Sequence, residues 1–334
     1  MANKQKKKNK LKTKITLFIL LLIIGAGLYA GYFVAKKISA LNIQEIDISA
    51  LDANENLYNE VSDSLSKAEF DNILTLALFG IDSKDSNNIS EGRSDSIIIA
   101  SINANKHTLK LISIPRDTYV SIEGYGKTKI NHAYAYGGET LAIKTINQNF
   151  GLNITEYVTR DFSGLIHEIN KIGGIELNIS ESEMEYINAH VNGAYVLTGN
   201  SPEKLTSYGT VVLNGEQALT HSRNRTIGND FYRAERQRDV LEAIMNKLTK
   251  MGASKLIDMS DTLLQEVRTN IDVINCIAKI TDIVLNSNKY FSNLTSMQIP
   301  STDYGTGQMI SGVYYFVADS DEMREDMIDT IYRK

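Results

Sequence analysis

LTLALFGI (74–81), SIIIASIN (96–103) and TLKLISI (108–114) decide the fold of this 334-residue chain. The first is an apolar run of strand length that ends in Gly80-Ile81-Asp82. A short uninterrupted apolar run bounded by turn residues reads as a buried strand. The second has the same character, and the third alternates apolar and polar residues. Asn103-Ala104-Asn105-Lys106-His107 separates the last two, so they form a hairpin and are antiparallel. Downstream, the pattern predicts helix 139–150 after Gly137-Gly138, strand 155–160, and helix 162–172 stopped by Gly173-Gly174. Strand 174–180, helices 214–222, 231–251, 254–267 and 272–285, strand 294–299 and a helix from 319 follow. Interleaved strands and helices with one antiparallel hairpin indicate a layered α/β domain with a mixed sheet.

Strand order alone gathers charged residues at one rim. The first strand ends at Asp82, and the second begins just after Asp95. The hairpin then crosses to the opposite rim, and its returning strand delivers Pro115-Arg116-Asp117 beside the two carboxylates. Two close carboxylates repel unless a cation or a proton lies between them. With oxygen donors and no Cys or His cluster, Mg²⁺ or Mn²⁺ is the natural ion, the alternative being two unrelated loop aspartates.

A second cluster lies in Arg223-Asn224-Arg225 and Asn229-Asp230-Phe231-Tyr232-Arg233, followed by Arg236-Gln237-Arg238. Five of the chain's eleven arginines fall in these sixteen residues, and no lysine does. Arg233, Arg236 and Gln237 share a helix face by i, i+3 and i+4 spacing, and Asp230 is placed to cap that helix. Planar guanidinium forks at a helix N-terminus match phosphate oxygens. The alternative is a solvated basic face paired with Glu235 and Asp239.

The net charge of −5 hides a split. Residues 1–37 carry nine lysines and no acid, whereas 38–334 hold 26 basic and 40 acidic residues, a charge of −14. The uncharged stretch ITLFILLLIIGAGLYAGYFVA (15–35) is long enough to cross a bilayer as one helix. Seven lysines before it and Lys36-Lys37 after it place the N-terminus in the cytoplasm and the body outside. The alternative is a cleaved signal peptide, against which stand the length of the apolar run and the lack of a clean A-x-A site. The expected organisation is a basic tail 1–14, a transmembrane helix 15–35, a stalk 36–71 and a catalytic domain 72–334. The acidic body excludes a duplex nucleic-acid binder. The single Cys276 excludes an internal disulfide framework and a CxxC site. Gly126-Lys127-Thr128 lacks the preceding glycine of a P-loop, Ser121 standing there, and no G-x-S-x-G elbow exists. His107, His167, His190 and His221 have no ligand spacing.

Six ordered segments carry a resemblance: FGIDSKD (79–85), RSDSI (93–97), SIPRDTYV (113–120), KINHAYAYGG (129–138), LNGEQALTHSRNR (213–225) and NDFYRAERQR (229–238). Together they resemble the LytR–CpsA–Psr family of Gram-positive envelope enzymes. Lys84 stands where members often carry arginine. The resemblance implies a three-layer α-β-α sandwich around the mixed sheet. It implies a phosphotransferase that moves a polyprenyl-pyrophosphate-linked glycopolymer (teichoic acid, capsule or another wall polysaccharide) onto muramic acid hydroxyls of peptidoglycan at the plasma membrane. By analogy Asp82 and Asp95 hold Mg²⁺, and Arg93, Arg116, Lys129, Arg223, Arg225, Arg233, Arg236 and Gln237 surround the pyrophosphate. Arg116, Arg225 and Arg233 would then serve catalysis directly, with Asp230 as the tentative base. The lipid tail needs an apolar channel, expected along helices 139–150 and 162–172; Leu141, Ile146, Phe150, Leu165 and Ile169 are candidate liners, with core packing the favoured alternative for any single one. A non-catalytic polyprenyl-phosphate binder and a hydrolase are the competing readings.

Overall fold

A computed structural model describes residues 42–82, 92–224, 230–251, 267–271, 282–283 and 286–333. The tail, the membrane span, Lys84, Arg225 and nearly all of helices 254–267 and 272–285 lie outside these residues.

In chain order the sheet elements are β1 (Asn42–Ile43), β2 (Ile73–Asp82), β3 (Arg93–Asn103), β4 (Thr108–Ser113), β5 (Tyr119–Ile122), β6 (Gly126–Lys129), β7 (Glu156–Asp161), β8 (Ile175–Ile179), β9 (Gly209–Leu213), β10 (Arg268–Thr269), β11 (Leu294–Gln298), β12 (Gly305–Ile310) and β13 (Val313–Ala318). The helices that bear on the site are α1 (His132–Phe150), α2 (Phe162–Lys171), α3 (Glu181–His190), α4 (Gly215–Ser222), α5 (Asp230–Met251), α6 (Ser287–Ser292) and α7 (Ser320–Ile328).

Seven strands form the central sheet in the order β1-β10-β7-β2-β3-β4-β11. The β2–β3–β4 meander is antiparallel, and β7 and β11 run parallel to β2 and β4 on either side, so the sheet is mixed as expected. The β5–β6, β8–β9 and β12–β13 pairs form separate two-stranded sheets.

Strand alternation sorts the side chains onto two faces. Ala77, Phe79, Ile81, Ile97, Ile99 and Ile112 point into a core shared with Ile143, Ile146 and Phe150 of α1 and Met323 and Met327 of α7. Leu76, Ile98, Ala100, Ile102, Leu109 and Leu111 point the other way, against Tyr290 of α6 and Leu241 and Met245 of α5. Burial on both faces is why these strands read as nearly continuous apolar runs. Helix α1 begins seven residues earlier than the pattern predicts. A short opening segment is broken at Gly137-Gly138, where Gly138 adopts φ 60 and ψ −152, a region that only glycine enters freely.

The stalk expectation is corrected over residues 42–71. β1 pairs with β10, and Leu51, Leu57 and Val61 are fully buried in the α1 core. The Asn147 side-chain amide donates to the Leu51 carbonyl at 3.0 Å. This stretch contains a 3₁₀ turn and two five-residue helices, each too short to display a 3.6-residue period. Leu57→Ala should therefore cost the domain about 2–5 kcal/mol in urea unfolding. A solvated stalk would leave the midpoint within about 0.5 kcal/mol of wild type.

Candidate active site at the sheet rim

The site begins with an irregularity in the β2–β3 ladder. Gly80 pairs with Ser96 and Ile81 with Ser94, which leaves Asp95 as the extra residue of a bulge. A bulge breaks alternation and re-aims a side chain, and here it leaves Ser94 and Asp95 buried in succession. After β4 the chain turns tightly, the Thr118 amide donating to the Pro115 carbonyl at 3.0 Å. That turn brings the Arg116 Nη1 to 2.9 and 3.0 Å from the two Asp95 carboxylate oxygens. From the opposite side Arg233, in the first turns of α5, donates to Asp95 Oδ2 at 3.0 Å. One turn later Gln237 Nε2 donates to the Asp95 carbonyl at 3.3 Å, the i+4 relation expected from spacing.

Asp95 and Arg233 are only 9% and 3% exposed. Burial alone would raise the Asp95 pKa, but the charges and hydrogen bonds of Arg233 and Arg116 outweigh it and hold the carboxyl below its ordinary value. Asp117 repeats the device beside it, with its carboxylate 2.7 Å from Lys129 Nζ and 3.7 Å from Arg116 Nε.

Arg223 reaches the same rim from α4. Asn214 and Gln217 form a capping box at the start of this helix. It packs on α2 so closely that a Cβ on Gly215 would stand 2.2 Å from the Ile166 carbonyl oxygen. Arg223 at its C-cap then lies 2.7 Å from Asp82 Oδ1, with its guanidinium 4.5 Å from the Phe162 ring centroid. Arg93, opposite Asp82 in the ladder, completes the rim. The structure thus gathers Asp82, Asp95, Arg93, Arg116, Lys129, Arg223, Arg233 and Gln237.

Two clustered arginines turn elsewhere. Arg236, expected around the pyrophosphate, is buried and pairs through Nε with Glu183 at 2.8 Å, while its Nη1 reaches the Asn224 carbonyl at 3.3 Å. It braces the turn that carries Arg223. Arg238 crosses to β11, its Nε donating to Ser296 Oγ at 2.9 Å. Asp230 opens α5, but its side chain, like all of Arg225, lies outside the described residues. Sequence reasoning missed Asp117 and Glu183 as supports. Asp117 was legible as the neighbour of Arg116, whereas Glu183 on α3 carries no signal.

Beneath the rim, between the sheet, α2 and α5, lies a mainly apolar cavity of about 250 Å³. Leu78, Ile98, Val158, Phe162, Leu165 and Leu241 line it, and it reaches Ser222 and Gln237, the chain neighbour of Arg223 and the hydrogen-bond partner of Asp95. Of the liners expected from sequence only Leu165 belongs here. Leu141, Ile146 and Phe150 pack on the opposite face of the sheet, and Ile169 sits in a separate core under β8.

His221, on α4 behind the rim, is 3% exposed. Burial pushes its pKa down to about 4, Glu183 opposing and Arg236 adding to the shift. The unfolded chain binds this proton below about pH 6.5 and the folded chain only near pH 4, so stability falls as pH drops through that window. Urea unfolding should show a loss on the order of 3 kcal/mol across it that is flattened in His221→Gln. An equal slope in the variant would assign the loss to other groups.

The matches to known proteins cover nearly the whole chain. The model of the LytR_cpsA_psr family matches residues 39–330. A polyisoprenyl-teichoic acid–peptidoglycan teichoic acid transferase TagU of Oceanobacillus iheyensis is 30% identical over 316 residues, 92% of this chain and 88% of its own. The corresponding TagT of Bacillus subtilis is 28% identical over 334 residues, 97% and 95% of the two chains. A solved structure of TagT bound to LI-WTA superposes with a TM-score of 0.63 at 27% identity, covering 79% of this chain and 92% of that one. With residues 39–330 matched by the family model and the fold shared with a solved TagT, the chain belongs to the LytR_cpsA_psr family.

Proposed function

We propose that this protein transfers a glycopolymer, with one phosphate, from a polyprenyl-pyrophosphate carrier to a muramic acid hydroxyl of peptidoglycan. One observation carries the reading: a rim of five cationic side chains among the described residues adjoins an apolar cavity through Ser222 and Gln237. An amphiphile with a phosphate head and a hydrocarbon tail satisfies both halves, and a soluble phosphate ester would leave the cavity unused. The named relatives are teichoic acid transferases, which supports the same class of donor and acceptor.

Phosphoryl transfer needs charge neutralisation and in-line positioning more than covalent help. Arg116 and Arg233 offer donors already oriented by Asp95, so little reorganisation accompanies the developing charge. Arg223 extends this field toward the leaving polyprenyl phosphate, a role proposed for Arg225 as well from the sequence alone. Asp230 is the proposed group that orients or accepts the proton of the incoming hydroxyl. Water is kept from the tail by Leu165 and Leu241.

A divalent cation fits the donors present. Mg²⁺ is commonly held by one or two carboxylates, with substrate phosphates and waters completing the shell. Asp82 and Asp95 lie on adjacent strands, Asp82 offering its hard oxygens more readily while Asp95 would share its oxygens with Arg116 and Arg233, and among the described residues no cluster of three or more acidic, His or Cys groups offers an all-protein cage. Bound there, Mg²⁺ would neutralise pyrophosphate charge. The proposed setting is the outer face of the plasma membrane, with span 15–35 as anchor and the N-terminus in the cytoplasm.

Three outcomes test this reading. Arg116→Ala should lower kcat by about 10²-fold or more in transfer of lipid-linked polymer to uncrosslinked glycan. Retained turnover removes Arg116 from the chemistry, and polymer release without acceptor would indicate hydrolysis. Leu241→Trp should fill the cavity and raise KM for a long-chain donor while sparing a donor with a one-isoprene tail. Chelation should abolish transfer, with Mg²⁺ restoring it, and Asp82→Ala should raise the Mg²⁺ concentration needed.

A further inference from the structure

Beside the cationic rim, two tyrosines spend apolar area on water. Tyr125 occupies the tip of the β5–β6 hairpin between Gly124 and Gly126, whose φ angles of 79 and 74 make the turn possible. Tyr136 ends the opening segment of α1, just before its Gly137-Gly138 break. The rings are stacked, with centroids 4.2 Å apart and planes at 16°. They remain 54% and 44% exposed. The pair is joined to the site. The His132 ring is 5.7 Å from that of Tyr136, and Thr128 Oγ1 lies 3.0 Å from His132 Nδ1. Lys129 of the rim follows Thr128 directly on β6. Burial lowers the His132 pKa, Arg93 and Lys129 lower it further, and Asp117 opposes them.

A flat aromatic face with a hydroxyl at its edge suits a ligand that is apolar on one side and polar at its rim. A pyranose ring has that form, with C–H groups on one face and hydroxyls around it. A lone exposed tyrosine needs no explanation. Two rings held parallel by separately constrained backbone segments, next to a phosphate-binding rim, are a built surface. We propose that Tyr125 and Tyr136 form a subsite for a sugar ring adjacent to the transferred phosphate. Both the donor glycan and the peptidoglycan acceptor present pyranoses there, so the chemistry is shared by two sources.

This inference rests on the transferase reading, and its test separates the two. The full chain in detergent is titrated calorimetrically with three probes: polyprenyl pyrophosphate without sugar, the same lipid carrying a disaccharide, and soluble uncrosslinked glycan strands; binding to phosphatidylglycerol vesicles is measured separately by co-sedimentation. In a Tyr125→Ala/Tyr136→Ala variant, affinity for at least one sugar-bearing probe should fall roughly tenfold, with bare lipid held within about twofold. The Tyr125→Phe/Tyr136→Phe variant keeps the stacking faces and should stay near wild type. The probe that weakens identifies donor or acceptor. Unchanged affinity for both sugar probes overturns the subsite. So does an equal loss for bare lipid, which would assign the rings to the phosphate site or to folding. Loss of binding to phosphatidylglycerol vesicles with glycan affinity intact would assign them to the membrane surface. Failure of wild type to bind bare lipid sinks the transferase reading, while the glycan-strand titration still decides the platform.

Discussion

Asp95 is the anion around which the rim is assembled. Without it, Arg116 and Arg233 would face one another in a buried setting, where like charges cost far more than in water. The carboxylate holds the two guanidinium groups from opposite sides, one delivered by the turn after β4 and the other by α5. It occupies that position because the β2–β3 ladder carries one extra residue. Three elements distant in sequence are thereby coupled to a single backbone irregularity. Asp117 extends the same logic to Lys129, so the cations are spaced before any ligand arrives.

The two aspartates of the rim differ in energetic character. Asp95 is enclosed, and its two arginine partners depress its pKa. Asp82 is half exposed and, among the described residues, pairs with the partly exposed Arg223, an arrangement worth little in water. The first is a fixed strut, and the second is held loosely enough to exchange partners at small cost. Under the proposed chemistry this asymmetry makes Asp82 the carboxylate more readily offered to a divalent cation.

Legibility from sequence followed the range of the interactions. The meander was readable because each strand is buried on both faces and each turn is marked by Gly, Asn or Asp. The rim was readable as a consequence of strand order, before any side-chain geometry. Arg236 was not, since i+3 spacing places it on the right side of α5 yet cannot reveal Glu183, which arrives from α3, 53 residues earlier. The cavity wall was only partly legible for a related reason: core packing, the favoured role, holds for Leu141, Ile146, Phe150 and Ile169, and Leu165 alone of the candidates lines the cavity. Apolar spacing in α1 and α2 shows that each has a buried face, but not which face of the sheet receives it. The short helices before β2 escaped because single turns carry no measurable period.

Placement of the apolar cavity follows from the sheet's two-sidedness. On the α1 face, large side chains such as Phe79, Tyr134 and Phe150 fill the space to the helix layer. On the α5 face, at the level of Gly80 and Ser96, the strands carry a hydrogen atom and a hydroxymethyl group instead. Small residues at the rim end of β2 and β3 open a gap that the longer Leu78 and Ile98 line below. The same Gly80 opposes the bulge that exposes Asp95 to its arginines, since any Cβ there would meet the Ser96 Cβ at 2.9 Å. Enlarging Gly80 would therefore strain the ladder that aims Asp95 and narrow the apolar space beneath it at once. The cationic rim and the apolar cavity are thus adjacent consequences of one strand pairing.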